Sequence, residues 1–455
     1  MSRKKILLFV PDGVGIKNYL YSKTFQNVSA SLSLFHNFDN DTISQIEKEV
    51  SLDAKIEIPI YLEGIWEKFL RELIHVSRIK YNAKKVNNPI ILDFRKRRHK
   101  GLKLKLFYTV VTFTANFVVG YRTILNLEKR YDKALRNTKF YNEVCVILKN
   151  HNPDSVFCTH QRALKAPAIF AAAMDLGIET TTVIYSWDNI PKARLALKAD
   201  VYLAWSQYMK EELQVFYPEI SSDKIKVTGT PQFEFYKDKS NIIEKDIFFK
   251  KYRLDDNKKI ICFSGDDALT SPYDPEYLND IASAIVAVGM DREYQLVFRR
   301  CPVDISDRYD WVLKKFPNIL IEMPPLWNYN SRIWSAVYPT YEDVKLLVSL
   351  AYYGDLVINV GSTMAFDFGM FNKPCIYINY DIEENKDWSV EKVYRYPHFK
   401  SMPSQNVVHW IHSKNGILDT IQKALEQPSI SKINDWYEIV TGNIEEPSKK
   451  IIKEL

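Results

Sequence analysis

Four stretches of this chain combine residue types whose spacing suits chemistry on a phosphorylated or hydroxylated ligand. The first is Pro11-Asp12-Gly13-Val14-Gly15-Ile16-Lys17-Asn18, set between an apolar run and a helix-like one. Two glycines within three residues allow a sharp turn and close backbone approach, and the N–H groups of a following helix suit an anion. Asp12 in a cleft wall could take a proton from an incoming hydroxyl, which makes it the first candidate for a general base. Gly13, Gly15 and Asn18 are candidates to meet an acceptor. The pattern is not GxGxxG, because position 18 is Asn, so a dinucleotide fingerprint is incomplete. The second stretch, Cys158-Thr159-His160-Gln161-Arg162, sets His160 at the end of a strand-like run as a further catalytic candidate.

The third stretch is Tyr185-Ser186-Trp187-Asp188-Asn189. Trp187 offers a ring to the C–H face of a sugar, Asp188 and Asn189 suit hydroxyls, and Asp188 is the second candidate for the base. The fourth group lies in the second half. Ser264 and Gly265 close a strand before Asp266-Asp267, and Arg299 supplies fixed positive charge suited to a diphosphate. Gly361-Ser362-Thr363 enters a helix, where the two hydroxyls would cap it and meet a phosphate; Asp367, four residues after Thr363, suits a ribose diol. The Asp266-Asp267 pair has no second acidic cluster in the sequence to complete a metal site. His409 and His412 read as surface residues, lacking HExxH or a third ligand. No GxSxG elbow, GxxxxGK[ST] loop or kinase motif set occurs, which removes support for a serine hydrolase or an ATPase.

The elements that must position these residues are short β-like runs alternating with helical ones, the pattern of an α/β fold with parallel sheets. Strands are expected at 6–10, 90–94, 155–159, 180–185, 201–204 and 225–228, with helices at 104–135, 139–150, 163–176 and 207–216. The pattern lapses after Gly229, which marks a hinge, and restarts with strands at 259–263, 295–299, 319–322, 356–360 and 375–378. Two doubly wound, Rossmann-like units, residues 1–235 and 236–455, would face each other with the site in the cleft between them. The helical stretch after Val407 would pack back across the hinge.

Composition narrows the class. The chain has 455 residues, 62 basic against 56 acidic side chains and only 14 glycines. It is neither collagen-like nor disordered, and its length supports two cores. Five cysteines without a CxxC pair argue against a disulfide framework and for a reduced, cytoplasmic setting. The apolar run after Arg3-Lys4-Lys5 is too short for a signal peptide. Residues 78–105 hold eleven bases against one acid, Asp93, so the rest of the chain is slightly acidic. An apolar stretch, 106–119, follows. It fits either a core helix after a solvated basic loop, or an interfacial patch over 78–122 drawn to anionic lipid. No recognition motif accompanies the charge, so no nucleic-acid partner is expected.

The segments PDGVGIKN, YSWDN, KVTGTPQF, RRCP and NVGSTMAFDFGMFNKPCIYIN, in this order, resemble glycosyltransferases of the GT-B architecture from bacterial surface-polysaccharide biosynthesis. More distantly they are similar to the CDP-glycerol glycerophosphotransferases. The resemblance, spanning residues 5–400, implies an acceptor-binding first unit and a second unit that binds a nucleotide-sugar. Gly361, Ser362 and Thr363 would meet the donor phosphates and Asp367 the ribose. Arg299 matches an Arg-x-His-Pro pattern in which Cys301 replaces the His; Tyr396-Pro397-His398-Phe399 is similar to a loop whose His398 could substitute. The resemblance implies metal-independent sugar transfer, with no cofactor, to a hydroxyl of a lipid-linked glycan acceptor at the inner membrane face. A CDP-polyol phosphotransferase of teichoic-acid-like polymer synthesis, a nucleotide-sugar 2-epimerase and a non-catalytic scaffold are the alternatives.

Overall fold

A computed structural model of the chain describes residues 3–95, 101–193, 195, 197–329, 336–385, 387–427 and 430–455. The first part builds a parallel sheet from β1 (Lys5–Phe9), β2 (Ser31–His36), β3 (Ala54–Glu57), β4 (Ser155–Cys158), β5 (Glu179–Val183), β6 (Val201–Ala204) and β7 (Ile225–Val227). Their order is β3-β2-β1-β4-β5-β6-β7. The run Ile6-Leu7-Leu8-Phe9 is apolar without alternation because helices cover both faces of such a sheet, and all four residues are buried.

The second part adds β8 (Lys259–Ser264), β9 (Tyr294–Arg299) and β10 (Leu320–Glu322), then a small antiparallel hairpin, β11 (Trp327–Asn328) with β12 (Tyr338–Pro339). It continues with β13 (Leu356–Asn359), β14 (Cys375–Ile378) and β15 (His409–Ile411); the second parallel sheet runs β10-β9-β8-β13-β14-β15. Each sheet reverses its winding beside its first strand, between β1 and β4 and between β8 and β13. Crossovers leave to opposite faces there, and a crevice opens outside the carboxyl ends. Register keeps those ends level: Phe9 pairs with Cys158, Ser264 with Arg299, and Phe263 with Ile358. The α/β class and the two Rossmann-like units expected from the alternation are thus present.

Several elements differ from expectation. Residues 90–94 form no strand; Pro89–Arg95 is a 3-10 turn, begun where Asn88 Oδ1 accepts from the Ile90 N–H at 3.2 Å. The expected helix at 104–135 is two, Leu102–Ala115 and Tyr121–Arg136, parted at Gly120 with φ of +82°. A 21-residue helix, Ile65–Lys85, precedes them. The core-helix interpretation of 106–119 fails. In Leu102–Ala115 only Val111 and Ala115 are buried, while Leu102 and Phe113 are 83 % and 63 % exposed. Lys96, Arg97, Arg98 and Lys100 lie outside the described residues. Among those described, no helix is long and apolar enough to cross a membrane.

The chain passes between the units twice. After Gly229, Tyr236 donates to Asp367 Oδ1 at 2.6 Å and Phe248 stacks on Tyr353 at 5.3 Å, so the helix Lys245–Tyr252 packs with the second unit. After β15, helices Ile430–Thr441 and Pro447–Lys453 return. Trp436 meets Trp187 edge-on at 5.6 Å, and the Thr24 and Ser448 hydroxyls lie 3.0 Å apart.

Candidate functional site

A cleft of about 920 Å³ lies between the two sheets' carboxyl ends. The first unit contributes Lys17, Arg162, Trp187, Asp188 and Lys192, and the second contributes Ser264 to Asp267, Arg299, Gly361 to Thr363, Asp367 and His398. Of the candidates from sequence, Ser264, Gly265, Arg299, Gly361, Ser362, Thr363, Asp367, Trp187, Asp188 and His398 therefore share one wall-to-wall space.

Arg299 ends β9, 4 % exposed, and its Nη2 grips Asp343 at 2.8 and 3.0 Å. Asp343 is fixed in turn by the Leu326 N–H at 2.7 Å and Trp327 Nε1 at 2.8 Å. Burial works against its charge, but Arg299 outweighs that and holds the carboxyl below the usual carboxylate range. A second guanidinium nitrogen of Arg299, Nη1, is buried with no hydrogen-bond partner. Arg299 lines the cleft, and a cation held through one nitrogen while another remains an unsatisfied donor is suited to an anion. Lys17 reaches the same space from the first unit. Burial lowers its pKa, against the pull of Asp367 and Asp343 and alongside the repulsion of Arg299. Two cations thus converge from opposite sides. Asp367 stands beside them; burial raises its pKa, opposed by Lys17 and by the Tyr236 hydroxyl.

The Gly361 turn is built as a close approach. Its φ is +71°, and a Cβ there would meet Phe399 Cζ at 2.7 Å. The capping expected of Ser362 and Thr363 is not what forms. Thr363 has helical φ and ψ and caps nothing with its side chain, because Asn359 Oδ1 takes the Ser362 N–H at 2.8 Å and pulls the turn inward. The Ser362 hydroxyl accepts only a long bond, 3.4 Å, from the Met364 N–H. The helix that follows, Met364–Gly369, has six residues.

Around Trp187 the cleft holds a second set of groups. Asp188 contacts Lys192 Nζ and accepts from Asn189 Nδ2 at 2.7 Å. Burial opposes its ionisation, yet Lys192 and then His398 outweigh burial, and the carboxyl lies well below the ordinary range. Burial pushes the His398 imidazole down to about 4, so it is neutral at pH 7, and its Nδ1 is buried without a partner. Trp187 itself is buried among rings, in T-shaped contact with His398 at 4.6 Å and Phe366 at 5.7 Å, which leaves little of its surface for a sugar. In the sequence Asp266 reads only as half of an acidic pair. Burial, then the charges of Asp267 and Asp274, raise it to about 7, a value suited to proton transfer near neutrality.

The first glycine turn behaves otherwise. Gly13, Gly15, Asn18, Asp12 and His160 do not line the cleft. A Cβ on Gly13 would meet the Val337 carbonyl oxygen at 2.5 Å and Pro339 at 2.8 Å, because the β11–β12 hairpin sits on it; on Gly15 it would meet Thr159 Oγ1 at 2.4 Å. These glycines admit protein, not an acceptor. Asn18 Nδ2 donates to Gln232 at 3.3 Å. Asp12 is buried, with Oδ1 accepting from the Gly15 N–H at 3.0 Å and Oδ2 2.5 Å from His160 Nδ1. His160 stacks on Tyr185 at 3.8 Å. Asp12 and His160 thus form a buried pair joining the turns after β1 and β4.

Sequence reasoning missed Lys17, Asp343, Lys192, Asp266 and Tyr236 as site residues. Lys17 was within reach, since it lies inside the quoted turn. Nothing local marks Asp343 as the partner of an arginine 44 positions earlier. His409 is also not a plain surface residue: it lies half-buried on β15. Among the described residues no group of three or more His, Cys, Asp or Glu is arranged to hold a metal ion.

No protein-family model and no curated protein matches the chain. Solved structures do. UDP-GlcNAc 2-epimerase from Neisseria meningitidis, bound to UDP-GlcNAc, aligns with a TM-score of 0.50 at 12 % identity over 99 % of both chains. S. aureus MnaA with UDP gives 0.53 at 12 % identity, covering 99 % of this chain and 95 % of that one. A glycosyltransferase from Rickettsia africae ESF-5 gives 0.52 at 12 % identity, covering 100 % and 97 %. The chain thus shares with these proteins, along its whole length, the GT-B-like architecture of two facing Rossmann-like units.

Proposed function

We propose that the cleft binds a nucleoside-diphosphate sugar and breaks its sugar–diphosphate bond. The observation that carries this is Arg299, whose Nη2 is locked to Asp343 while Nη1 is a buried, unsatisfied donor on the cleft wall. The diphosphate lies between Arg299 and Lys17, which stabilise the charge that develops as it departs. The ribose lies toward Asp367 and the sugar toward Asp188 and His398. Positive charge comes from the protein, so neither metal nor cofactor is needed, and turnover is expected to persist in EDTA.

Two fates of the sugar remain, and 2-epimerisation is the first. It needs no second substrate, the likeness in fold includes several UDP-GlcNAc 2-epimerases, and Asp266 has a pKa suited to exchanging a proton at carbon near neutral pH. Glycosyl transfer, the main expectation from sequence, is the second. It is favoured by the extension of the cleft past Asp188 to His75, Asp93 and Phe94, which leaves room for an acceptor hydroxyl. A panel of UDP-, dTDP-, GDP- and CDP-linked sugars in D₂O separates the two. Deuterium at C2 without an acceptor is the expected result. Nucleotide release only when an acceptor glycan is present would move the assignment to transfer, and transfer of a phosphopolyol from a CDP-polyol to the phosphotransferase. A failure to bind any nucleotide would remove all three and leave the scaffold.

A further inference from the structure

The insertion between β3 and β4 carries a face that its own fold leaves uncovered. Helix Leu102–Ala115 rests on helix Ile65–Lys85 through a narrow inner stripe, Val111 and Ala115 against Leu73 and Val76. The opposite side of a water-facing helix is normally polar. Here Leu102, Leu106, Val110 and Phe113 follow one another at spacings of three and four, and Phe117 continues the stripe. All five are exposed, Leu106 by 65 % and Phe117 by 68 %. The apolar surface runs on sideways: Phe107 meets Phe69 edge-on at 6.4 Å, and Phe69 stacks at 5.6 Å on Trp66, itself 56 % exposed.

Among the described residues, the exposed charge at the rim of this face is basic. Lys103, Lys105 and Arg122 are exposed at its rim. The sequence has no acid between Asp93 and Glu128. Nearby carboxylates are tied down inside the protein: Glu63 by Arg71 at 2.6 Å, Glu67 by Tyr61, and Glu128 by Arg78 at 2.6 Å. A second copy of the chain docked here about a twofold axis would set this positive rim against itself. A surface that is apolar within and negative at its headgroups complements both features.

We propose that this face seats the protein on an anionic phospholipid bilayer, with the helix in the plane of the headgroups. Fourteen residues span about 21 Å of helix, short of the ~30 Å hydrocarbon core, so the helix lies in the interface rather than across it. Trp66 stands at its edge, where an amphipathic ring favours the boundary between headgroup and acyl chain. Arg95 contacts Thr112 of this helix, and its neighbour Phe94 lines the cleft, so the seated face adjoins the cleft mouth. The inference rests on neither fate of the sugar.

Flotation of the full chain with vesicles tests it. The protein is expected to float with phosphatidylcholine–phosphatidylglycerol vesicles, to stay behind with phosphatidylcholine alone, and to be released by high salt. Phe113→Gln with Phe117→Gln should lower the bound fraction at least about tenfold. Lys103→Glu and Lys105→Glu should each lower partitioning about fivefold, with an unchanged melting temperature in every variant because all four positions are exposed. Absence of flotation, or flotation indifferent to both pairs of changes, overturns the proposal. So does a dimer in sedimentation without lipid that the Phe→Gln pair dissolves, which would assign the face to a second copy.

Discussion

The two units contain matching strand-to-helix turns, each with glycine at a point of close approach and each at the switch point of its sheet, yet they serve opposite ends. After β1 the turn is filled: the hairpin β11–β12 covers Gly13, Thr159 covers Gly15, and Asp12 spends both oxygens on Gly15 and His160. After β13 the turn borders the cleft, beside an arginine with a spare donor. Glycine marks close approach in both cases. What approaches differs, and only the three-dimensional neighbour tells which.

Replacing Arg299 by Met tests the open side most severely. It strands Asp343 as a buried, unpaired carboxylate, which should cost about 3–5 kcal/mol in a urea melt. UDP affinity measured by calorimetry should fall about 100-fold, the loss of a charge-assisted contact to the diphosphate. On the filled side, Gly13→Ala drives a methyl against backbone and a proline ring and should cost about 1–3 kcal/mol, with UDP affinity of the folded fraction unchanged. Asp12→Asn should behave alike, losing about 1–3 kcal/mol from a buried hydrogen-bonded pair, with turnover falling only in step with the folded fraction. Were Asp12→Asn to abolish turnover in a fully folded protein, the contrast between the turns would collapse and Asp12 would return as the base.

Lys17 sharpens the comparison because it stands on the filled turn yet enters the cleft. Lys17→Met should weaken UDP about tenfold without loss of stability, since a desolvated ammonium is removed. The smallest effect concerns Asp266. Its proton leaves as pH rises through about 7, placing a carboxylate near the bound anion, so UDP affinity should decline severalfold between pH of about 6 and about 8. Since the folded-state value lies above the unfolded one, its contribution to stability is also present at low pH and lost as pH rises through about 7. Asp266→Asn should flatten the affinity profile and reduce the slope of the stability profile, to which the buried Asp274, raised to about 6, also contributes.

Strands buried on both faces announced themselves as unbroken apolar runs, which is why β1, β4, β8, β9, β13 and β14 were readable. β2, Ser-Leu-Ser-Leu-Phe-His, hid behind its serines, and β3 was too short and polar at a sheet edge. The residues along the cleft followed from one rule, that polar groups at carboxyl ends face a crevice. The rule misassigned Asp12, Gly13, Gly15 and His160, because the hairpin that covers Gly13 begins more than 300 residues later. Asp343 and Tyr236 reach the site through tertiary contacts that leave no local trace.

The double passage of the chain bears on movement. A pair of bodies joined by one linker can swivel in any direction. Here Glu234 of the first crossing region and Thr24 of the first unit both meet Ser448 of the second crossing, with Ile444 and Pro447 pressed onto Gly229. Two straps pinned side by side leave a single easy motion, like a door on two hinge pins, with the cleft at the opening edge. Cutting the chain before Asn443 would remove one pin, and the halves should then gain twist as well as swing, seen as a broadened distribution of distances between labels on Lys17 and Lys373.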